Sequence, residues 1–236
     1  MMRVTKVFSV ISFFAVFILL GSSSFASSDI LIKSVELSDM IGKPGVVIVD
    51  ARGKRSYKKK HLPGAVHLPA SLIISLRDEA AIKKSAAPLP LKKAEKLFGE
   101  LGISNNSRIV VYDSPPDFSA SYVWFTLKMY GAGNVRILSG GVKTWKKEKL
   151  PLTKEVAKIK PAVFKASLRS DVLMNADWII KNKDSIQLVD TRSLEEYVGA
   201  RGVGHIPGAL LLEWKDLANA KESFKSAGEM KEIISK

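Results

Sequence analysis

No cysteine occurs anywhere in the 236 residues. Disulfides, thiolate metal sites and thiol nucleophiles are therefore excluded from this polypeptide. Histidine is scarce too. His61, His67 and His205 are the three present, too few and too scattered for a histidine-built metal cluster. No metal site and no cofactor is expected. Acidic side chains are also short: 23 Asp and Glu face 37 Lys and Arg, a formal charge of +14. Such a surplus concentrates anionic ligands and partners around the chain. The lysine runs Lys58–Lys60, Lys83-Lys84, Lys92-Lys93 and Lys146-Lys147 lie in separate polar stretches. Each reads as a solvated face, and nucleic-acid binding is not expected. Small anions or an anionic envelope surface are better candidates.

What is present is ordinary for a globular chain: 46% hydrophobic and 25% charged residues. That is enough for one large domain or two of roughly 100 residues. The first residues differ from the rest. Arg3 and Lys6 precede an uncharged run from Val7 to Leu20, and Gly21 and Ser22–Ser24 break it before Ser24-Phe25-Ala26. This is the three-part layout of a secretory signal peptide. The run falls short of the ~20 residues of a spanning helix, so no stable membrane span is expected once the signal is cleaved. Cleavage is expected after Ala26, with export to the periplasm; a retained anchor is the alternative. Loss of Arg3 and Lys6 would leave a charge of +12.

The chain repeats itself. Val46-Val47-Ile48-Val49-Asp50-Ala51-Arg52 is echoed by Ile186-Gln187-Leu188-Val189-Asp190-Thr191-Arg192. Tyr57 and Tyr197 each follow the aspartate by seven residues, and His61-Leu62-Pro63-Gly64-Ala65 is matched by His205-Ile206-Pro207-Gly208-Ala209. The interval from Asp to His is 11 residues in one copy and 15 in the other. Continuous apolar runs at 46–50 and 108–112 predict strands buried on both faces of a parallel sheet. Further strands are expected at Ala65–Leu68 and Val135–Leu138. Helices are expected at Leu91–Leu101 and Ala120–Tyr130, with a short one around Trp145. Pro151–Pro161 reads as a linker. The second copy begins near Val163, with a helix at Ala176–Lys181, strands at Asp190 and Ala209–Glu213, and an amphipathic stretch over Met230–Lys236. Alternation of this kind predicts an α/β fold.

These residues resemble the rhodanese family, specifically its two-domain thiosulfate or 3-mercaptopyruvate sulfurtransferases. The resemblance rests on the two repeated sets, on Val110-Val111-Tyr112-Asp113, on Asn134–Gly141 and on Trp145. It implies a parallel sheet flanked by helices, with one complete domain and one incomplete repeat. The divisions are a signal at 1–26, a first rhodanese-like domain of the non-catalytic type at 27–155, and a second, incomplete one at 156–236. In the family a cysteine ends the strand equivalent to 108–112 in the second domain. Its thiolate takes sulfane sulfur from a small anionic donor and passes it to a thiophilic acceptor. A loop of inward-facing N–H groups lowers the thiol pKa.

The resemblance places Asp113 at the cysteine's position in the first copy. A carboxylate does not accept sulfur and would repel an anionic donor, and Pro115 and Pro116 remove two N–H donors. The loop Asp113, Ser114, Pro115, Pro116, Asp117, Phe118, Ser119 is therefore expected to be vestigial. Ser114 and Ser119 lack the Gly-x-Ser-x-Gly setting of a hydrolase. In the second copy the same interval, corrected for the insertion, falls at position 257, so the loop is expected to lie 21 residues beyond Lys236. Arg192 matches the family arginine on the donor side. It and Arg52 read more simply as ion-pair partners of Asp190 and Asp50. His61 and His205 read as turn-fixing residues, and Trp124, Trp145, Trp178 and Trp214 as packing. No catalytic residue is assigned. Three functions stay open: an inactive sulfurtransferase relative, a non-catalytic exported module binding anions or protein, and an active enzyme of which this is the beginning.

Overall fold

The computed structural model describes residues 30–77, 88–115, 117, 119–218 and 224–234. The expected signal at 1–26 lies outside them. The first unit runs β1 (Leu31–Ile32), α1 (Ser34–Met40), β2 (Val46–Asp50), α2 (Lys54–Lys59), β3 (Ala65–His67) and α3 (Ala70–Ser75). It continues with α4 (Leu91–Glu100), β4 (Arg108–Tyr112), α5 (Ser119–Met129), β5 (Asn134–Leu138) and α6 (Gly141–Lys147). The strands form one parallel sheet in the order β1-β5-β4-β2-β3.

The apolar runs of β2 and β4 are explained by two covered faces. Val49, Ile109 and Val111 point to a core shared with Ala94 and Phe98 of α4 and Val123 and Leu127 of α5. Ile48, Val110 and Tyr112 point to the other, with Leu37 of α1 and Val142 and Trp145 of α6. Burying each such valine or isoleucine contributes about 1.5–3 kcal/mol. The sequence predicts this α/β architecture, with helices on both faces of the sheet.

The second unit contains α7 (Ala176–Asn182), a 3-10 turn at Lys183–Ser185, β6 (Val189–Asp190) and α8 (Leu194–Tyr197). Then follow β7 (Leu210–Leu211), a 3-10 turn at Trp214–Leu217 and α9 (Ala227–Ile234). Strands β6 and β7 pair in parallel, Val189 with Leu210. Among the described residues β6 has one neighbour, where β2 has two. The consequence is exposure: Ile206 and Leu210 are 44% and 57% exposed, against 0% and 5% for their counterparts Leu62 and Val66. Helix α9 begins before the expected Met230. Ser226 and Glu229 bond reciprocally at its start, the Ser226 N–H donating to Glu229 Oε2 at 2.8 Å.

Residues 162–169 pack on the first unit, although the repeat pattern places the second copy's start near Val163. The Ala162 N–H donates to the Gly99 carbonyl at 2.9 Å, and those of Ser167 and Arg169 donate to Tyr130 and Met129. Asn105 grips Lys165 by both its backbone N–H and carbonyl at 2.9 Å. Phe164 is 3% exposed, edge-on to Phe98 at 5.1 Å. Phe164 thus adds an aromatic contact with Phe98 of α4 to the backbone bonds that hold this strap. No helix among the described residues is long and apolar enough to cross a membrane.

Candidate functional site

The loops that follow β2, β4 and β5 meet at the carboxyl edge of the sheet, where open α/β sheets place their ligands. Asp50 ends β2 and is fully buried. Arg52 grips it by its backbone N–H at 3.0 Å, its Nε at 2.9 Å and its Nη2 at 2.6 Å. Tyr112, from the end of β4, donates its hydroxyl to Asp50 Oδ2 at 2.5 Å. The same hydroxyl accepts the Leu62 N–H at 3.1 Å. Burial first, then the neighbouring Asp50 charge, pushes the Tyr112 phenol well up, so it stays a donor. This tyrosine stands in Val110-Val111-Tyr112-Asp113, and the pairing of β2 with β4 sets it beside Asp50.

The second copy rebuilds the same corner. Arg192 reaches Asp190 by its backbone N–H at 3.0 Å, Nε at 2.9 Å and Nη2 at 2.5 Å. Nη2 of Arg52 and of Arg192 each donates to a backbone carbonyl at 2.8 Å, from Lys60 and Gly204. Tyr57 and Tyr197 donate to the carbonyls of Ala65 and Ala209, and each stacks on its histidine, at 4.0 Å for His61 and 3.7 Å for His205. Both histidines place Nδ1 2.8 Å from the carbonyl of that tyrosine. The histidines fix turns and the arginines form ion pairs, as their simpler readings have it. Arg192 spends its guanidinium on Asp190 and Gly204.

The loop after β4 holds Asp113, which is 5% exposed. Its Oδ2 accepts the Ala120 N–H at 2.9 Å, in the first turn of α5. Its carbonyl accepts the Val142 N–H at 2.9 Å, in the first turn of α6. One residue therefore ties two helix starts to the end of β4. Gly141, at φ +53°, makes this possible: a Cβ there would lie 2.5 Å from the Asp113 carbonyl oxygen. Burial pushes the Asp113 carboxyl up to about 7, with the Asp117 and Asp50 charges adding to it and the Ala120 N–H opposing. The acid is thus inward-facing and holds its proton far more readily than a free carboxyl. The Asp113 carboxylate thus has a structural part as a buried cap on the first turn of α5. Asp117 accepts from the Ser119 N–H and Oγ, at 3.0 and 2.6 Å. Pro116 and Phe118 lie outside the described residues. Ser114 and Pro115 are partly exposed. Among the described residues no group of three His, Asp or Glu is placed to hold a metal ion.

The rhodanese-like domain family matches residues 34–148, the first unit from α1 to the end of α6 without strand β1. Bovine (Bos taurus) thiosulfate sulfurtransferase is 30% identical over 211 residues, covering 81% of this chain and 70% of that protein. This chain belongs to the rhodanese family. The chicken (Gallus gallus) thiosulfate sulfurtransferase is 32% identical over 194 residues, covering 78% of this chain and 65% of the other. Among solved structures, the 3-mercaptopyruvate sulfotransferase SseA of Escherichia coli superposes with a TM-score of 0.72. It is 26% identical, over 86% of this chain and 81% of that one. In this family member, the loop after β4 is a corner in which Asp113 caps α5.

Proposed function

We propose that this rhodanese-family chain is a sulfurtransferase by descent whose 236 residues do not themselves transfer sulfur. The observation that carries the reading is Asp113: the residue that follows β4 is a carboxylate turned inward to cap α5, in a sequence without cysteine. Sulfane sulfur transfer requires a nucleophile that can become a persulfide, and a carboxylate cannot. The first unit, 27–155, serves as the non-catalytic partner of a tandem scaffold, and 156–236 as the beginning of its second domain. Thiosulfate or 3-mercaptopyruvate is the donor class this scaffold would take if a longer form supplied a thiolate loop facing Arg192. Export to the periplasm, with cleavage after Ala26, fits the charged-then-apolar start.

The test is a sulfurtransferase assay on the purified chain, with thiosulfate or 3-mercaptopyruvate as donor and cyanide as acceptor. No thiocyanate above the enzyme-free rate is expected. Turnover by a preparation shown by mass spectrometry to be this cysteine-free chain would overturn the reading. A second reading, a non-catalytic module that binds anions or a partner, is favoured by the exposed basic side chains of α2.

A further inference from the structure

Helices α2 and α8 occupy the same place in the two repeats, each entered four residues after its aspartate and each anchored by its tyrosine. Their local design is opposite. Helix α8 starts at Ser193 with a complete capping box to Glu196 and has Glu195 and Glu196 in its first turn. Such acids and caps satisfy the free N–H groups and the peptide dipoles. Helix α2 starts at Gly53 with no side-chain cap and no acid in its first turn. Lys54 and Arg55 stand there instead, where positive charge opposes the dipole. Lys54 with Lys58 and Arg55 with Lys59 are like-charge pairs four apart, which weaken a helix.

The fold does not demand this, because α8 does the same structural job without it. Departures from local rules with no structural gain mark functional positions. Lys54, Arg55, Lys58, Lys59 and Lys60 are all exposed, while Tyr57 is buried behind them. Among the described residues no ion pair joins any of the five to an acid.

We propose that this face of α2 docks on an anionic lipid bilayer. At 100° per residue, the four cations of the helix fall within an arc of about 140°, pointing away from Tyr57. The surface contains no exposed aromatic or aliphatic side chain, only Ser56. It therefore lacks the stacking platform that single-stranded nucleic acid uses and the apolar anchor of a protein interface. Four of the five are lysines, point charges without the planar fork of arginine. A dense, lysine-rich face without an apolar anchor fits a plane of lipid phosphates better than a shaped partner. The scattered lysine runs read from sequence as solvated faces thus differ among themselves, and the run at 58–60 gains Lys54 and Arg55 as neighbours. This inference stands whether or not the chain transfers sulfur.

The experiment is co-sedimentation of the full chain with phosphatidylcholine vesicles, with and without phosphatidylglycerol, at low and raised salt. Binding that needs phosphatidylglycerol and weakens with salt is expected. Each basic residue near an anionic surface contributes a factor of about five, so Lys58→Gln, Lys59→Gln and Lys60→Gln together should weaken binding more than tenfold. The pair Lys146→Gln and Lys147→Gln in α6 is the control, with a change below about twofold expected. A further variant, Lys54→Glu with Arg55→Glu, should lose binding while its Tm rises, which separates docking from misfolding. Equal binding by all variants, or equal loss in the α6 control, would overturn the proposal. So would lysine-dependent binding of double-stranded DNA without binding to vesicles.

Discussion

The hydroxyl of Tyr112 reaches across from β4 to Asp50 at the end of β2, donating to Oδ2 at 2.5 Å. That bond fastens two neighbouring strands at the edge where the loops converge. In the second copy Asp190 has its arginine, but no tyrosine among the described residues reaches it.

Replacing Tyr112 by Phe leaves the buried Asp50 carboxylate with one fewer donor and the Leu62 N–H without its acceptor. A loss of about 2 kcal/mol is expected, the scale of a hydrogen bond to a buried charge. Urea unfolding of the wild type and the variant measures it. An unchanged midpoint would show that water replaces the hydroxyl at no cost.

Asp113 should make stability fall as pH rises. Its carboxyl keeps a proton in the folded state up to about 7, whereas the unfolded chain releases it near 3.8. Between those values the folded state binds the extra proton, so its advantage shrinks with rising pH and levels off above about 7. Asp113→Asn preserves the cap to the Ala120 N–H and abolishes this titration. The variant should therefore gain on the wild type across that window, by roughly 2–4 kcal/mol in all. Parallel slopes of stability against pH would show that Asp113 titrates normally.

The two ion pairs should differ in strength. Arg52 and Asp50 have side chains 7% and 0% exposed, against 21% and 10% for Arg192 and Asp190. Removing a partner from a buried pair costs about 3–5 kcal/mol, since the other charge is left uncompensated. Arg52→Ala should approach that figure. Arg192→Ala should cost about 1 kcal/mol or less, because its aspartate is nearer water. Similar losses in the two variants would mean that the second corner is as sealed as the first.

Gly99 tests the strap. An alanine in a helix interior ordinarily stabilises by up to about 1 kcal/mol relative to glycine. Here its Cβ would lie 2.6 Å from the Ala162 carbonyl oxygen, so Gly99→Ala should destabilise and loosen residues 162–169. Limited proteolysis should show new cleavage there. Phe164→Ala should do the same at a cost of about 3–5 kcal/mol. A strap that stays protected in both variants would show that its backbone bonds suffice alone.

The sheet was readable where the side chains were continuous and apolar. Val46–Asp50 and Arg108–Tyr112 are β-branched runs that match the observed strands residue for residue. The repeated aspartate, arginine, tyrosine and histidine gave the two corners, whose hydrogen bonds agree within about 0.2 Å. Strand β1 escaped notice because two residues, Leu31 and Ile32, carry no periodicity. Phe164 escaped because a lone aromatic in a polar stretch does not say which core it enters. The inward turn of Asp113 depends on Gly141, 28 positions away in the chain, and no local pattern reports a contact of that range.

The register that pairs Leu31 with Ile137 also sets an order of events. Strand β1 is synthesised first, yet its neighbour in the sheet emerges more than a hundred residues later. At roughly 5–20 residues per second that interval lasts about 5–20 s. Through it, β1 is a strand without an edge to join, while β2, β3 and β4 already have one another. Anything that keeps the young chain extended during those seconds protects the start of the domain more than its middle.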